Sequence, residues 1–470
     1  MLNRITQADV QALREIVGDP WIAVKPEIHP DYTHDEMTHY GCYEPEVVLQ
    51  PASTDEVSRI MAYASAHQLP VTARGAGTGL CGGCVAIHGG IVLSLMRMNR
   101  ILEIDENTLT CTLQPGVLLM EIIAAAAEHN LLYAPDPGEK SASVGGNVMT
   151  NAGGMRAVQY GVTRDYVRGL EVVLADGTVM RLGGKTAKNS SGYSLKDLMV
   201  GSEGTLGIVT EIVMKLLPRP RRMTSLLIPF DTLKQALQLV PKIMRLPSVA
   251  TTIEFMEKEV IQDAQEYLGK DFPNRDYNAY LIVSYSGNAE AQMQAMLDDC
   301  ANLALAEGAR DVFISDTEER QSSIWDARGA FLEAIKNSTT EMDECDVVVS
   351  IDQVAEFCQF ARDLSEQQQI RIRSFGHAGD GNLHLYVLKD DLEESLWQKK
   401  VTYCMDALYE KAAQMKGQVS GEHGIGHAKT GYLKQSLQPA QIELMRKIKL
   451  AFDPQGILNP GKVIGDLESQ

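Results

Sequence analysis

Residues 141–154 read SASVGGNVMTNAGG, and residues 74–83, upstream of them, read RGAGTGLCGG. The first run decides the fold because it cannot build a core. It holds four glycines and five small polar residues, so ordering it costs much backbone entropy and buries little apolar area in return. A large, polar, extended ligand that accepts hydrogen bonds from the backbone would compensate. Closely spaced glycines, as in 74–83, let backbone N–H groups converge on an anion with no side chain in the way. A third stretch of this character runs from Lys188 through Ser190, Ser191 and Gly192 to Gly201, Gly204 and Gly207, and ends in a strand carrying Ile208 and Val209. Three such stretches point to one ligand surface rather than to three independent turns.

Gly77, Gly79 and Gly82 satisfy G-x-G-x-x-G. A dinucleotide-binding βαβ unit needs those glycines to open a helix and an acidic residue to end the next strand. Here the chain continues through 84–88 into 90–95, which reads as turn and strand, so a nicotinamide-binding Rossmann fold is disfavoured. Upstream, Ser53-Thr54-Asp55-Glu56 offers a helix start, and Val57, Ile60, Met61 and Ala64 continue an apolar face to about His67, followed by a strand over 69–72. Downstream, short strands over 108–113 and 170–174 flank an alanine-rich helix over 118–128.

Pro218-Arg219-Pro220-Arg221-Arg222 marks a boundary, because its prolines cannot sit in a sheet interior. Beyond it the rhythm changes. Strands are predicted over 224–229, 251–255, 280–285, 311–314, 370–375 and 383–388, with helices over 231–245, 288–307, 318–336, 353–368 and 392–415. Such a unit sheets its strands and covers one face with helices. A last helix over 439–453 stops at Asp453-Pro454. The predicted organisation is a first domain over 1–220, a second over 221–420, and a C-terminal segment over 421–470 that returns to the first.

The chain has 470 residues, 44% of them hydrophobic and 22% charged, with a formal net charge of -19. That length calls for more than one core. The negative charge would repel a phosphate backbone, and no block of lysine and arginine offsets it, so nucleic-acid binding is disfavoured. No signal-like segment opens the sequence and no apolar run is long enough to span a bilayer, which places the expected protein in the cytoplasm. Eight cysteines are too sparse for a disulfide scaffold or a cluster-binding run. Cys81 and Cys84 form a C-x-x-C without a thioredoxin-like setting and read as structural.

Two other segments carry chemistry. Residues 374–387, SFGHAGDGNLHLYV, place His377 and His384 around a glycine turn, and residues 421–427, GEHGIGH, add Glu422, His423 and His427. Leu383, Leu385 and Val387 share one strand face, which sends His384 to the other, away from the expected core. Two imidazoles and one carboxylate, with no thiolate, make a donor set for a borderline divalent cation that leaves positions open for substrate.

With these motifs the chain resembles the vanillyl-alcohol oxidase superfamily. Residues 45–217 are similar to its FAD-binding domain. The chain as a whole resembles its FAD-linked 2-hydroxy acid dehydrogenase branch, which holds glycolate oxidase FAD subunits, D-lactate dehydrogenases and D-2-hydroxyglutarate dehydrogenases. The resemblance implies an α+β architecture, an FAD domain joined to an α+β substrate domain. It implies that Arg74, Gly75, Ala76, Gly77 and Thr78 cradle the FAD pyrophosphate. Pro135, Gly138, Ser141, Gly145, Gly146, Asn147, Thr150, Gly153 and Gly154 would wrap the flavin and ribityl chain. Glu203, Gly204, Gly207 and Ile208 would line the adenine and ribose side, with Asn459 and Lys462 returning from the C-terminus. Relatives with a covalent flavin place a histidine where this chain has Thr78, so noncovalent FAD is implied.

By the same resemblance His377, His384 and Glu422 hold a divalent metal, zinc, manganese or iron, and His423 is the active-site base. Arg328, in a helix opening near Trp325, would grip the substrate carboxylate through its rigid fork. Removing hydride from C2 of a 2-hydroxy acid leaves a carbonyl, so the hydroxyl proton must depart, and a bound cation lowers its pKa. Leu332 stands where the 2-hydroxyglutarate enzymes carry a polar residue, which favours a short substrate, although Lys336 could reach a second carboxylate from the same helix face. The expected reaction is oxidation of D-lactate, with glycolate or D-2-hydroxyglutarate as alternatives. Electrons would pass to an electron-transfer flavoprotein, an iron–sulfur subunit or a quinone. A different class of protein, an electron-relay flavoprotein subunit with an idle hydroxy-acid site, would need the glycine stretches but not His423.

Overall fold

The computed structural model describes residues 2–272 and 276–466. The chain forms two compact units. The first comprises Met1–Gly153, Val162–Arg219 and Glu422–Gln470; the second comprises Gly154–Gly161 and Pro220–Gly421.

The first unit contains two principal sheets. Strands β1 (Ile22–Val24), β2 (Val47–Leu49), β3 (Val71–Arg74) and β4 (Ile91–Ser94) lie in the order β1-β2-β4-β3. The β1–β2 pair is antiparallel and the other pairs are parallel. Strands β5 (Ile101–Asp105), β6 (Thr110–Leu113), β7 (Val167–Val173), β8 (Val179–Gly183) and β9 (Ile208–Lys215) form an antiparallel sheet in the order β5-β6-β9-β7-β8. Helix α1 is Gln7–Val17, and α2 is Thr54–His67. The Ser53 hydroxyl accepts from the Glu56 amide and opens α2, whose buried residues are the predicted Val57, Ile60, Met61 and Ala64. The strand expected over 69–72 begins two residues later. Leu69 still bonds back to the Ala64 carbonyl, and Pro70 has no N–H to donate to a ladder.

These elements share a core that includes Leu13, Ile60, Val71, Leu93, Val173 and Ile208, together with Ile457 and Leu458 from the C-terminal segment. Val71 donates to the Ile457 carbonyl at 2.8 Å and accepts from the Asn459 amide at 2.7 Å, so the tail continues the first sheet beside β3. Helix α3 is Leu119–Glu128, close to its predicted limits. Helix α4 (Val144–Thr150) was not foreseen, because its two glycines are poor helix formers. Tertiary packing demands one of them: a Cβ on Gly145 would lie 2.5 Å from the Pro115 ring.

The second unit is built on one seven-stranded antiparallel sheet. Its strands are β10 (Arg222–Phe230), β11 (Thr252–Glu257), β12 (Ala279–Gly287), β13 (Phe313–Ser315), β14 (Met342–Val348), β15 (Arg371–His377) and β16 (Asn382–Leu388). They lie in the order β13-β10-β12-β11-β15-β16-β14. The helices are α5 (Leu233–Ile243), α6 (Lys258–Leu268), α7 (Glu290–Ala306), α8 (Glu318–Gly329), α9 (Phe331–Asn337), α10 (Val354–Gln368) and α11 (Glu394–Gln414). Strand β14 and helix α6 were not expected, and the helix predicted over 318–336 breaks at Ala330 into α8 and α9.

Helices α6, α8 and α9 pack together, while α5, α10 and α11 form a separate group against the strands. The sheet is thus covered on both faces rather than one. This corrects the placement of His384. It does alternate with Leu383, Leu385 and Val387, but the face it joins is buried as well.

Candidate active site

In the first unit the glycine stretches converge on α4. Gly75 abuts Ser143, where a Cβ would meet the Ser143 hydroxyl, and the Ala76 amide points to that hydroxyl at 3.4 Å. At the other end of α4, the amides of Gly201 and Glu203 donate to the carbonyls of Val148 and Met149 at 3.0 and 2.9 Å. The tail joins them: Asn459 Nδ2 donates to the Gly83 and Glu203 carbonyls at 2.8 and 2.6 Å, and Lys462 Nζ donates to the Val85 carbonyl at 2.6 Å. Burial pulls the Lys462 amine down to about 8. Asn147 Nδ2, Ser202 Oγ and Asn459 Oδ1 are buried with no hydrogen-bond partner among the described residues. Buried amide and hydroxyl groups of this kind require a partner, and with the glycine cradle they fit an extended polar ligand such as FAD.

Arg74 and Glu203, like Asn459 and Lys462, use their side chains on the protein. The Arg74 guanidinium donates to the carbonyls of Asp31 and His34 at 2.7 and 2.8 Å and to Cys84 Sγ at 3.2 Å. The Glu203 carboxylate accepts from the amides of Ile425 and Gly426 at 2.8 and 2.7 Å, which anchors the loop that follows His423. Burial raises the Glu203 carboxyl above its ordinary range, against the lowering effect of those amides. Cys81 and Cys84 are free thiols, and burial pushes that of Cys84 up.

Glu422 and His423 belong to the same unit. A Cβ on Gly153 would lie 2.7 Å from a Glu422 carboxylate oxygen, and His423 Nε2 is 3.6 Å from the other. His427 donates its amide to the Cys81 carbonyl at 3.1 Å, its ring faces Gly82, and Tyr43 meets it edge-on with centroids 5.6 Å apart. Burial holds the His427 imidazole down at about 4.

In the second unit the sheet register brings polar side chains onto one buried face. Glu254 stands opposite His377, Asp346 opposite His384, and Glu344 opposite Tyr386. His377 Nδ1 lies 2.8 Å from Glu254 Oε1. His377 Nε2 and His384 Nε2 are 3.4 Å apart, and His384 Nδ1 is 3.8 Å from both Glu344 and Asp346. Tyr386 donates to Glu344 at 2.9 Å, and burial holds its hydroxyl protonated. Asp346 accepts from Asn382 Nδ2 at 2.7 Å, from the Ser420 hydroxyl at 2.7 Å and from the Gly421 amide at 3.0 Å. Two imidazole nitrogens turned to one point, with carboxylates behind them, form a donor set that suits a borderline divalent cation.

Arg328 lies at the end of α8 rather than at a helix start. Its Nε and Nη2 donate to Glu254 Oε2 at 2.9 and 2.6 Å, and its guanidinium stacks over Phe375 at 4.6 Å. Burial would raise the Glu254 carboxyl, but His377 and Arg328 outweigh it and hold the group below its ordinary range. Lys336 is on α9, a different helix from Arg328, and pairs with Glu333 at 3.0 Å. Sequence reading missed Glu254, Glu344 and Asp346. The detectable signal was acidic residues at alternate positions of segments rich in β-formers, a pattern that marks a polar but covered strand face.

Comparison with known proteins gives a consistent result. Residues 219–463 match the model of the C-terminal domain of FAD linked oxidases, and residues 45–183 match that of an FAD binding domain. A D-lactate dehydrogenase of Anaerostipes hadrus is 45% identical, covering 98% of each chain. The glycolate oxidase subunit GlcD of Bacillus subtilis is 39% identical over 92% of this chain and 91% of its own. Among solved structures, p-cresol methylhydroxylase with substrate bound superposes with a TM-score of 0.81 at 17% identity, covering 100% of this chain and 99% of that one.

Proposed function

Because this chain belongs to the FAD-linked 2-hydroxy acid dehydrogenases of the vanillyl-alcohol oxidase superfamily, we propose that its substrate is a short D-2-hydroxy acid, D-lactate before glycolate or D-2-hydroxyglutarate. The observation that carries this choice is the 45% identity, across 98% of both chains, to a protein named D-lactate dehydrogenase. The position of Lys336 on a different helix from Arg328, already paired with Glu333, also favours a substrate with one carboxylate.

FAD bound noncovalently along 74–78, 135–154 and 203–208, with Asn459 and Lys462, supplies the hydride acceptor for C2. Thr78 offers no imidazole for a covalent link. A divalent cation, zinc, manganese or iron, held by His377, His384 and Glu422, supplies a Lewis acid for the substrate hydroxyl. Support for this donor set comes from the two facing Nε2 atoms and from Asp346, which fixes Gly421, the residue before Glu422. His423 takes the hydroxyl proton as hydride leaves C2, the general-base role that the imidazole lone pair allows. Arg328 receives the substrate carboxylate, with Glu254 holding the guanidinium in place. Without a cluster-binding cysteine run, this chain hands its electrons to a separate acceptor: an electron-transfer flavoprotein, an iron–sulfur subunit or a quinone. Among the described residues no helix is long and apolar enough to cross a membrane.

Anaerobic mixing of the purified yellow protein with D-lactate tests the reading. The flavin absorbance is expected to bleach, and His423→Ala, with its FAD retained, is expected to bleach about 100-fold more slowly or worse. A flavin that stays oxidised with D-lactate, glycolate and D-2-hydroxyglutarate alike would overturn it and favour the electron-relay alternative.

A further inference from the structure

Glu254 is fully buried, at 0% exposure, and its carboxylate serves two partners at once. His377 Nδ1 lies 2.8 Å from Oε1 and 3.0 Å from Oε2, and Oε2 also takes both Arg328 contacts, at 2.9 and 2.6 Å. The pairing is built into the sheet, because Glu254 and His377 are direct cross-strand neighbours between β11 and β15. An ionised carboxylate can only accept, so the hydrogen sits on Nδ1 of His377 and the lone pair of a neutral ring is left on Nε2. That nitrogen is the one turned toward His384.

We propose that Glu254 is a positioning residue shared by two functions. It locks His377 in the Nδ1–H tautomer that presents Nε2 to a divalent cation, and it holds the Arg328 guanidinium that receives the substrate carboxylate. Metal affinity and recognition of the acid are thereby coupled through one side chain. The inference rests on the metal reading above and adds a residue that none of the sequence motifs contains.

The test is equilibrium dialysis of the purified FAD-bound protein against graded zinc or manganese, with bound metal read by elemental analysis. Wild type is expected to bind the ion. Glu254→Gln, which can turn an amide N–H toward Nδ1 and select the wrong tautomer, is expected to bind it about 10–100-fold more weakly, the usual effect of removing a carboxylate behind a ligating histidine. Its FAD content should be unchanged and its KM for D-lactate raised. Glu254→Asp keeps the charge and should fall between the two. Equal metal affinity in wild type and Glu254→Gln overturns the proposal while leaving the flavin reaction with D-lactate intact. A wild type that binds neither ion overturns it together with the metal reading, and flavin bleaching remains the separate measure of the reaction. If Glu254→Gln does not fold, nitrogen-15 NMR of histidine-labelled, metal-free wild type decides. The Nδ1–H tautomer of His377 is expected, and the Nε2–H tautomer overturns the proposal.

Discussion

His427 shows how a single side chain responds to its setting. Its segment, GEHGIGH, made it one more candidate ligand or base, yet no role could be assigned from the motif. In the fold its ring faces Gly82 and two tyrosines, and burial lowers its pKa from 6.5 to about 4. The folded state therefore keeps it neutral while the unfolded chain protonates. Stability is lost as pH falls from about 6.5 through about 4. His427→Gln is expected to lessen that loss, by no more than roughly 3 kcal/mol at pH 4; thermal melts of both proteins from pH 7 to 4 should show the variant gaining on wild type as the pH drops. Glu203 teaches a related lesson. Its glycine-flanked motif was legible, but the use of its carboxylate on the Ile425 and Gly426 amides was not, because those partners lie more than 200 residues away in sequence.

At the scale of elements, periodicity predicted well where one face is apolar. Helix α2, with its Ser53 cap, appears with the buried residues expected of it. Prediction failed where tertiary contacts override local preference. Strand β14 reads MDECDVV, and its acidic residues hide a strand whose polar face is buried against imidazole and tyrosine partners. The loop after His423 offers a direct test of such a constraint. Gly426 has φ of 53°, and a Cβ there would fall 1.8 Å from the Cys81 carbonyl oxygen. Gly426→Ala is expected to cost about 2 kcal/mol or more from backbone strain and displacement of that carbonyl. A denaturant midpoint unchanged from wild type would contradict the close approach.

The whole molecule depends on the return of its C-terminus. Ile457 and Leu458 lie in the core of the first unit, Val71 hydrogen-bonds on both sides of Leu458, and Lys449 is buried against Asp453 and the carbonyls of Thr205 and Leu458. A chain ending at Asp453 is expected to lose FAD and to precipitate or melt well below the full-length protein, as visible absorbance and a thermal scan would show. A soluble yellow product would contradict the role given to the tail. The sequence by itself determined the glycine-rich stretches and the histidine segments, because these rest on local rules: glycine freedom, apolar period and the chemistry of side chains close together in the chain; the flavin family followed from the resemblance that those motifs carry. Only the tertiary structure decided which carboxylates stand behind the imidazoles, that Arg328 shares Glu254 with His377, and that α4 and β14 exist. Strand register and distant packing set those features, and neither leaves a mark within a short window of residues.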